Sequence, residues 1–431
     1  MRPNFKSKII IVVIIVILMF LSTFTCINPY FKTKNYKTEG YTEEFTSKNI
    51  RSSISSAISG VIHIDNNWTE AKGIGLCIGE GTYSNPYVIQ DRVIDGSGLG
   101  ACILIENSDV YFRLENCTVF NSGEFSIGIN LNNVNNSQII NNTCSTHQDG
   151  ICLFYSNNNT ISINKVNNIT DSDGISLSQS DNNIISKNVV NNSGNNGIRL
   201  GESNNNFISE NNATFNYYCG INLGYSDNNI ISVNTVNNSI HGIGFFYSDK
   251  NSISRNKGNN NSNGIKLHYS YNNILSENEG KYNHNGIYLF QSGGNNISGN
   301  ILNKNIIGIG IFYNSDDNLI SENTVNLNIN GIELSHSDKN RISRNTANNN
   351  DECGINLFDS NHNTISGNTL EGNEICIKEV ACRNNFFINN GSCAYRNILF
   401  QIIPLLSIIG IGIVIAILTN SLIKTKRKKA L

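Results

Sequence analysis

Along most of this chain the apolar positions come in very short alternating runs, Gly-Ile-x-Leu and then x-Ile-Ser, and the whole pattern returns every 22 to 24 residues. The Gly-Ile pair stands at Gly128, Gly150, Gly174, Gly197, Gly220, Gly242, Gly264, Gly286, Gly308, Gly331 and Gly354. Runs of three to five residues in period two are too short for helices and suit short strands. A self-similar period of this length marks a stacked repeat, because one unit cannot bury its own apolar face without neighbours. The expected fold class is therefore all-β: three short strands with tight turns per coil, the coils stacked in register.

Taking each Gly as position zero, position one is Ile and position three is nearly always Leu, for example Leu153, Leu177 and Leu223. Position six is Ser from Ser156 to Ser360, with one residue inserted at Asn314. Position nine is Asn from Asn159 to Asn363, position eleven is Ile or Leu, and position fourteen is again Asn from Asn142 to Asn368. Position sixteen is small or apolar, as at Cys144, Val166 and Ala213. Stacking in register puts like residues above one another at the inter-strand spacing of ~4.8 Å. Buried Asn and Ser columns can then bond along the stack as ladders. A Gly column answers a need for positive φ or for close backbone approach. Cys102 and Cys376 occupy the Gly column ahead of Ile103 and Ile377, so at least thirteen coils can be counted, a stack of ~60 Å.

The reiterated text "GIxLxYSxNNxISxNxVNN", as in residues 220–238, resembles the parallel β-helix repeat of the pectin-lyase superfamily, and within it the NosD-type family. The segment "GEGTYSNPYVI" over 79–89 is similar to the lead-in that such domains carry before their first full coil. The resemblance covers residues 58–397 and implies a single-stranded, right-handed parallel β-helix; periodicity alone does not give the hand. It divides the chain into an N-terminal cap with first coils (58–101) and repeats (102–397). Both ends of the stack need caps, since an open coil is an unpaired sheet edge. The C-terminal cap is expected over 386–396.

The ends read differently. Residues 9–24 are apolar behind Arg2, Lys6 and Lys8, so 1–26 is a signal peptide or signal anchor. Residues 27–57 form a polar linker. A second apolar run, 402–419 within an expected transmembrane helix over 398–423, is closed by the basic tail 424–431 with Lys424, Lys426, Arg427, Lys428 and Lys429. The positive-inside rule leaves that tail in the cytoplasm and the coils outside, giving a cell-membrane protein with an extracellular β-helix. Removing three N-terminal and five C-terminal cations from the net −2 leaves −10 for the exterior portion, which argues against nucleic acid as a partner. Sequons such as Asn168-Ile-Thr suit an exported chain, although an Asn- and Ser-rich repeat makes them by chance.

Eleven Cys raise the question of disulfides in an exported chain. Cys382 with Cys393, or Cys353 with Cys376, could pair; otherwise the cysteines read as buried small hydrophobes, with Cys144 in a core column and Cys152 in an outward one.

The chemistry is less legible. Position thirteen alternates in sign in adjacent coils (Lys187 with Glu210, Arg255 with Glu277, Glu322 with Arg344), and cross-coil ion pairing explains this better than acid–base catalysis. Asp227 with Asp249, and Asp316 with Asp338, stand at position seven, where a ~5 Å carboxylate spacing could hold Ca²⁺. Asx residues at a turn are the favoured reading. Position two gives Arg199, Lys266 and Glu333, each three coils and so ~14 Å from the next. No catalytic constellation and no cofactor is assigned. The feature with most promise is an aromatic stripe at positions four and five: Tyr155, Tyr225, Phe246, Tyr247, Tyr269, Phe290, Phe312 and Tyr313. Exposed rings in a row form an amphipathic surface on which sugars could stack or a protein could dock; equally, they could be an aromatic stack that stabilises the corner.

These observations favour a non-catalytic, membrane-anchored envelope protein that binds glycans or neighbouring surface proteins. The alternative is a polysaccharide lyase, hydrolase or epimerase of the same fold. A third reading, copper-site maturation, is what the NosD resemblance implies, but the chain has only Met1 and Met19 and no His/Cys/Met cluster.

Overall fold

In the computed structural model the described residues are 58–398, apart from 99, 124–125 and 392–394. They form a parallel β-helix of about thirteen turns, right-handed as the family resemblance implies. Two sheets of 15 and 14 strands run its length and a third of 7 strands covers its N-terminal half, and in each one neighbouring strands follow one another in chain order, one coil apart. No other domain interrupts the described coils. The seven-stranded sheet ends at Asn212–Thr214, after which single parallel bridges carry its line from Thr235 to Thr369.

The apolar columns form the core as their spacing predicts. Position one (Ile151, Ile221, Ile355), position eleven (Ile161, Ile231, Ile342) and position sixteen (Val166, Val190, Val325) are all fully buried. Three columns of one residue type meeting inside each coil leave no room for polar atoms, so the corner polar groups have to be satisfied within the stack. They are. Each position-nine Asn takes the backbone N–H of the coil before it, as Asn229 N to Asn251 Oδ1 at 2.8 Å. Position fourteen repeats this, and both columns also bond amide to amide, as Asn229 Nδ2 to Asn251 Oδ1 at 3.2 Å and Asn234 Nδ2 to Asn256 Oδ1 at 3.0 Å. The Ser column does the same with its hydroxyls, Ser226 N donating to Ser248 Oγ at 3.0 Å.

The corners hold a surprise. In the coil that begins at Gly220, Tyr225, Asn228, Val233 and Asn238 all sit at positive φ between 51° and 60°. These left-handed turns are made mostly by Asn, Lys, Glu and Tyr rather than Gly. The Gly column serves the other purpose, close approach: a Cβ on Gly220 would lie 2.8 Å from both Gly242 O and Val236 Cβ.

At the N-terminal end a six-residue helix, Trp68–Gly73, lies over the first coil. Its Trp68 is buried, stacks on Tyr87 at 5.1 Å and packs on Phe112 at 4.7 Å, and donates Nε1–H to Ser108 Oγ at 2.7 Å. The segment expected to cap the other end, 386–396, continues the coil instead. Phe386–Ile388 and Tyr395–Ile398 pair as further strands of two sheets. Asn385 and Asn390 keep the ladders going (Asn363 N to Asn385 Oδ1, 2.7 Å), so the backbone is templated where the apolar pattern has faded.

Neither disulfide suggested by the sequence forms, since Cys353 and Cys382 are free; Cys376 is disulfide-bonded. Cys152, placed in an outward column, is nonetheless buried. The signal or anchor segment, the linker, the transmembrane segment and the basic tail lie outside the described residues. Among those described, no helix is long and apolar enough to cross a membrane.

Candidate functional site

Simple alternation would put positions −1 and +2 on opposite faces of the long sheet. The column-zero glycine changes this. It drops out of the ladder, so that Cys219 pairs with His241 and Ile221 with Ile243 while Gly220 is skipped. With its missing Cβ directed at the core, the extra residue turns position −1 to the same outer face as position +2. The contacts demonstrate it: Asn222 Nδ2 reaches Cys219 Sγ at 3.4 Å, and Asn330 Nδ2 donates to Glu333 Oε2 at 2.9 Å.

The consequence is a recessed polar strip along the outer face. Position −1 supplies Asp173, Asn196, Cys219, His241, Asn263 and Asn285, each buried, while Arg199 and Lys266 reach in from position two. Asp173 accepts from Asn196 Nδ2 at 2.8 Å and faces Arg199 Nε at 3.9 Å. Burial pushes its carboxyl above the usual range, and the Asn196 hydrogen bonds only partly offset this. Burial also pushes the Cys219 thiol up to about 12, which leaves it unreactive. Two coils on, Lys266 Nζ lies 3.3 Å from His241 Nε2. Burial lowers the imidazole to about 4, and burial lowers Lys266 as well. The sequence reading missed this strip because the −1 column varies in type and because its facing depends on the glycine skip. The spacing itself was visible: Asp173, Cys219 and His241 each directly precede a repeat glycine.

The aromatic stripe borders the same face. Position-four rings end the strands of the long sheet: Phe246 closes His241–Phe246 and is exposed, while Phe290 and Phe312 close theirs and are half-buried. Position five lies in the left-handed turn beyond. Tyr155, Tyr225 and Tyr313 are 50–58 % exposed, Tyr247 is also exposed, and Tyr269 is half-buried. Tyr225, Tyr247 and Tyr269 stack on one another with centroids 5.2 and 4.8 Å apart and ring planes within 11°. Tyr313 stacks likewise on His336 at 5.1 Å. Ring faces within the run are therefore covered by the next ring, and edges and phenol oxygens remain for a ligand. This differs from the sugar stacking on each ring that the column spacing suggested. Tyr155 is separated from the run by Gln179 and Glu202, which bond to each other at 3.1 Å.

Other candidates have plainer roles. Asp227 Oδ1 takes the backbone N–H of Asp249, whose own Oδ1 takes that of Tyr271, both at 2.7 Å. Asp316 serves Asp338, and Asp338 serves Asn361, in the same way. These carboxylates form an external rung of the ladder, and no group of three His, Cys, Asp or Glu able to hold a metal occurs among the described residues. Of the cross-coil pairs, Lys187–Glu210 (3.9 Å) and Arg344–Glu322 (3.0 Å) form, both well exposed. Arg255 and Glu277 do not come within 4.0 Å.

Residues 113–257 and 220–399 match the family described as periplasmic copper-binding protein (NosD). The chain belongs to the NosD family. Among solved structures, this NosD-family chain is similar to a mutant of the periplasmic alginate epimerase AlgG, with 17% identity over 70% of this chain and 84% of that one and a TM-score of 0.46. The enzymatically active domain of bacteriophage CBA120 tailspike protein 2 matches at 15% identity, covering 49% of this chain and 39% of that one, with a TM-score of 0.43. The A-module of the Azotobacter vinelandii mannuronan C-5 epimerase AlgE6 matches at 14% identity, 73% and 88% coverage and a TM-score of 0.40. No curated protein matches the chain.

Proposed function

We propose that this protein binds an extended glycan along the outer face of its long sheet, as a membrane-anchored component of the cell surface. The observation that carries the reading is the run Tyr225–Tyr247–Tyr269, whose phenols repeat once per coil beside the polar strip. That repeat of ~4.8 Å is close to the length of one sugar ring, so successive hydroxyls of a polysaccharide could meet successive phenols. The anchoring rests on the two apolar segments with basic flanks. A non-catalytic role is favoured because Asp173 and Lys266 stand four coils, ~19 Å, apart, too far for one acid–base pair. The Asp173–Arg199 and His241–Lys266 contacts support a polysaccharide-active enzyme as the second reading.

The copper binding in the family's name does not suit the groups present. A soft thiolate site needs accessible, easily ionised sulfur. Here burial pushes Cys102 and Cys117 up to about 11, and both His241 nitrogens are engaged by Asn263 and Lys266.

The test is a glycan array probed with the native chain and with the Tyr247→Asn, Tyr269→Asn double variant. Asn suits left-handed backbone, so the fold is kept. Binding should weaken by about tenfold or more, the equivalent of ~1.4 kcal/mol. Unchanged affinity for every bound glycan would rule the stripe out as the ligand platform.

A further inference from the structure

The polar strip contains a directed chain of hydrogen bonds that ends on an amine. Asn285 Nδ2 donates to Asn263 Oδ1 at 2.8 Å, which fixes the Asn263 amide with its nitrogen toward His241. Asn263 Nδ2 lies 3.0 Å from His241 Nδ1, so that ring nitrogen accepts. A neutral imidazole that accepts at Nδ1 carries its proton on Nε2. The atom facing Nε2, at 3.3 Å, is Lys266 Nζ. An ammonium there would set two donors against each other, whereas a free amine offers the lone pair that the Nε2–H needs. Lys266 stays half-buried, so a small molecule can reach it.

We propose that Lys266 is held as a free amine and is a selective nucleophile toward aldehydes. The lone pair attacks the carbonyl carbon, a C–N bond forms and the carbonyl π pair moves to oxygen. One proton passes from nitrogen to that oxygen, the second leaves nitrogen with the departing hydroxyl to complete a water molecule, the C–O bond breaks, and an imine remains. His241 Nε2–H, released once the lone pair is used, is placed to hydrogen-bond the departing hydroxyl. The titratable groups facing Lys266 are His241, Cys219, His268 and, in register on the next coil, Tyr288; none is a carboxylate that would favour the ammonium. Burial works in the same direction, lowering Lys266 from its ordinary range.

The experiment treats the full-length chain with D-glyceraldehyde and sodium cyanoborohydride near neutral pH and maps the adducts by peptide mass spectrometry over time. Only the unprotonated amine attacks a carbonyl, and an exposed lysine near neutral pH is almost wholly ammonium. Lys266 should therefore be labelled about tenfold or more faster than the exposed Lys165 and Lys250, and that preference should vanish in urea, where the relay is undone. The Lys266→Arg variant should lose the fast adduct and no other. Labelling of Lys266 no faster than Lys165 and Lys250 in the folded chain would overturn the proposal, because the ammonium would then be donating to Nε2 with the relay reversed. This outcome does not depend on whether a glycan binds.

Discussion

Gly174 shows why the repeat keeps glycine at one position. A Cβ there would lie 2.2 Å from Val190 Cγ1, 2.7 Å from Gly197 O and 2.9 Å from Ser193 Oγ, with no flexible group able to yield. Gly224, four residues past its own repeat glycine, is different: the nearest atom to an added Cβ is Leu200 O at 4.0 Å. Gly174→Ala should thus destabilise the stack by about 1–3 kcal/mol through overpacking, whereas Gly224→Ala should be close to neutral. Urea midpoints of the two variants check this. Equal midpoints would mean that the close approach at Gly174 relaxes without cost. At this same scale the sequence showed which position is glycine but not which of its two properties is used. The left-handed corners went to Tyr, Lys and Val, and glycine went to the tightest backbone contact.

At the scale of the element, the ladders hold successive strands in register. Asn234 accepts the backbone N–H and the amide of Asn211, and its own amide donates to Asn256 Oδ1 and Ile208 O. Replacing it with Leu leaves the backbone N–H and amide of Asn211 without this acceptor and takes a donor from Ile208 O, all on the coil before, while Asn256 Oδ1 keeps the backbone N–H of residue 234. The expected loss is about 1–3 kcal/mol, read as a lowered unfolding midpoint. A midpoint within error of the wild type would show that the neighbouring amides find other partners. A further ladder, from Asn261 through Asn283 and Asn305 to Asn350, was equally periodic in the sequence but stands outside the apolar runs that guided the reading. The helix Trp68–Gly73 escaped for another reason. Six residues span less than two turns, too few for helical periodicity to register.

For the whole molecule, burial of polar groups links stability to pH. His147 and His241 are each lowered to about 4 from the ordinary 6.5, chiefly by burial. The native state holds both rings neutral while the unfolded chain protonates them near 6.5. Their contribution is therefore complete above that value and is lost as pH falls through about 4. Asp173 and Glu333, raised by burial, act in the opposite sense over the acid range, so the histidine effect has to be isolated by difference. The unfolding midpoint of the wild type should exceed that of the His147→Gln, His241→Gln variant by a margin that shrinks on acidification. A margin independent of pH would show that the imidazoles are not buried neutral.

By itself the sequence determined everything that depends on period. The coil length, the core columns at positions one, three, eleven and sixteen, and the Ser and Asn ladders follow from like residues recurring at a fixed spacing, since stacking in register must bring them together. What only the tertiary structure decided are facings and encounters. Whether position −1 looks inward or outward depends on a glycine skipped in the ladder, and this one step puts Asp173, Cys219 and His241 on the outer face. Whether the Tyr225, Tyr247 and Tyr269 rings present faces or edges depends on how they settle against one another. His241 and Lys266 lie 25 residues apart and in different columns, and they meet only where neighbouring coils bring their side chains together. Such contacts arise from side-chain packing between coils, which no periodicity within the chain encodes.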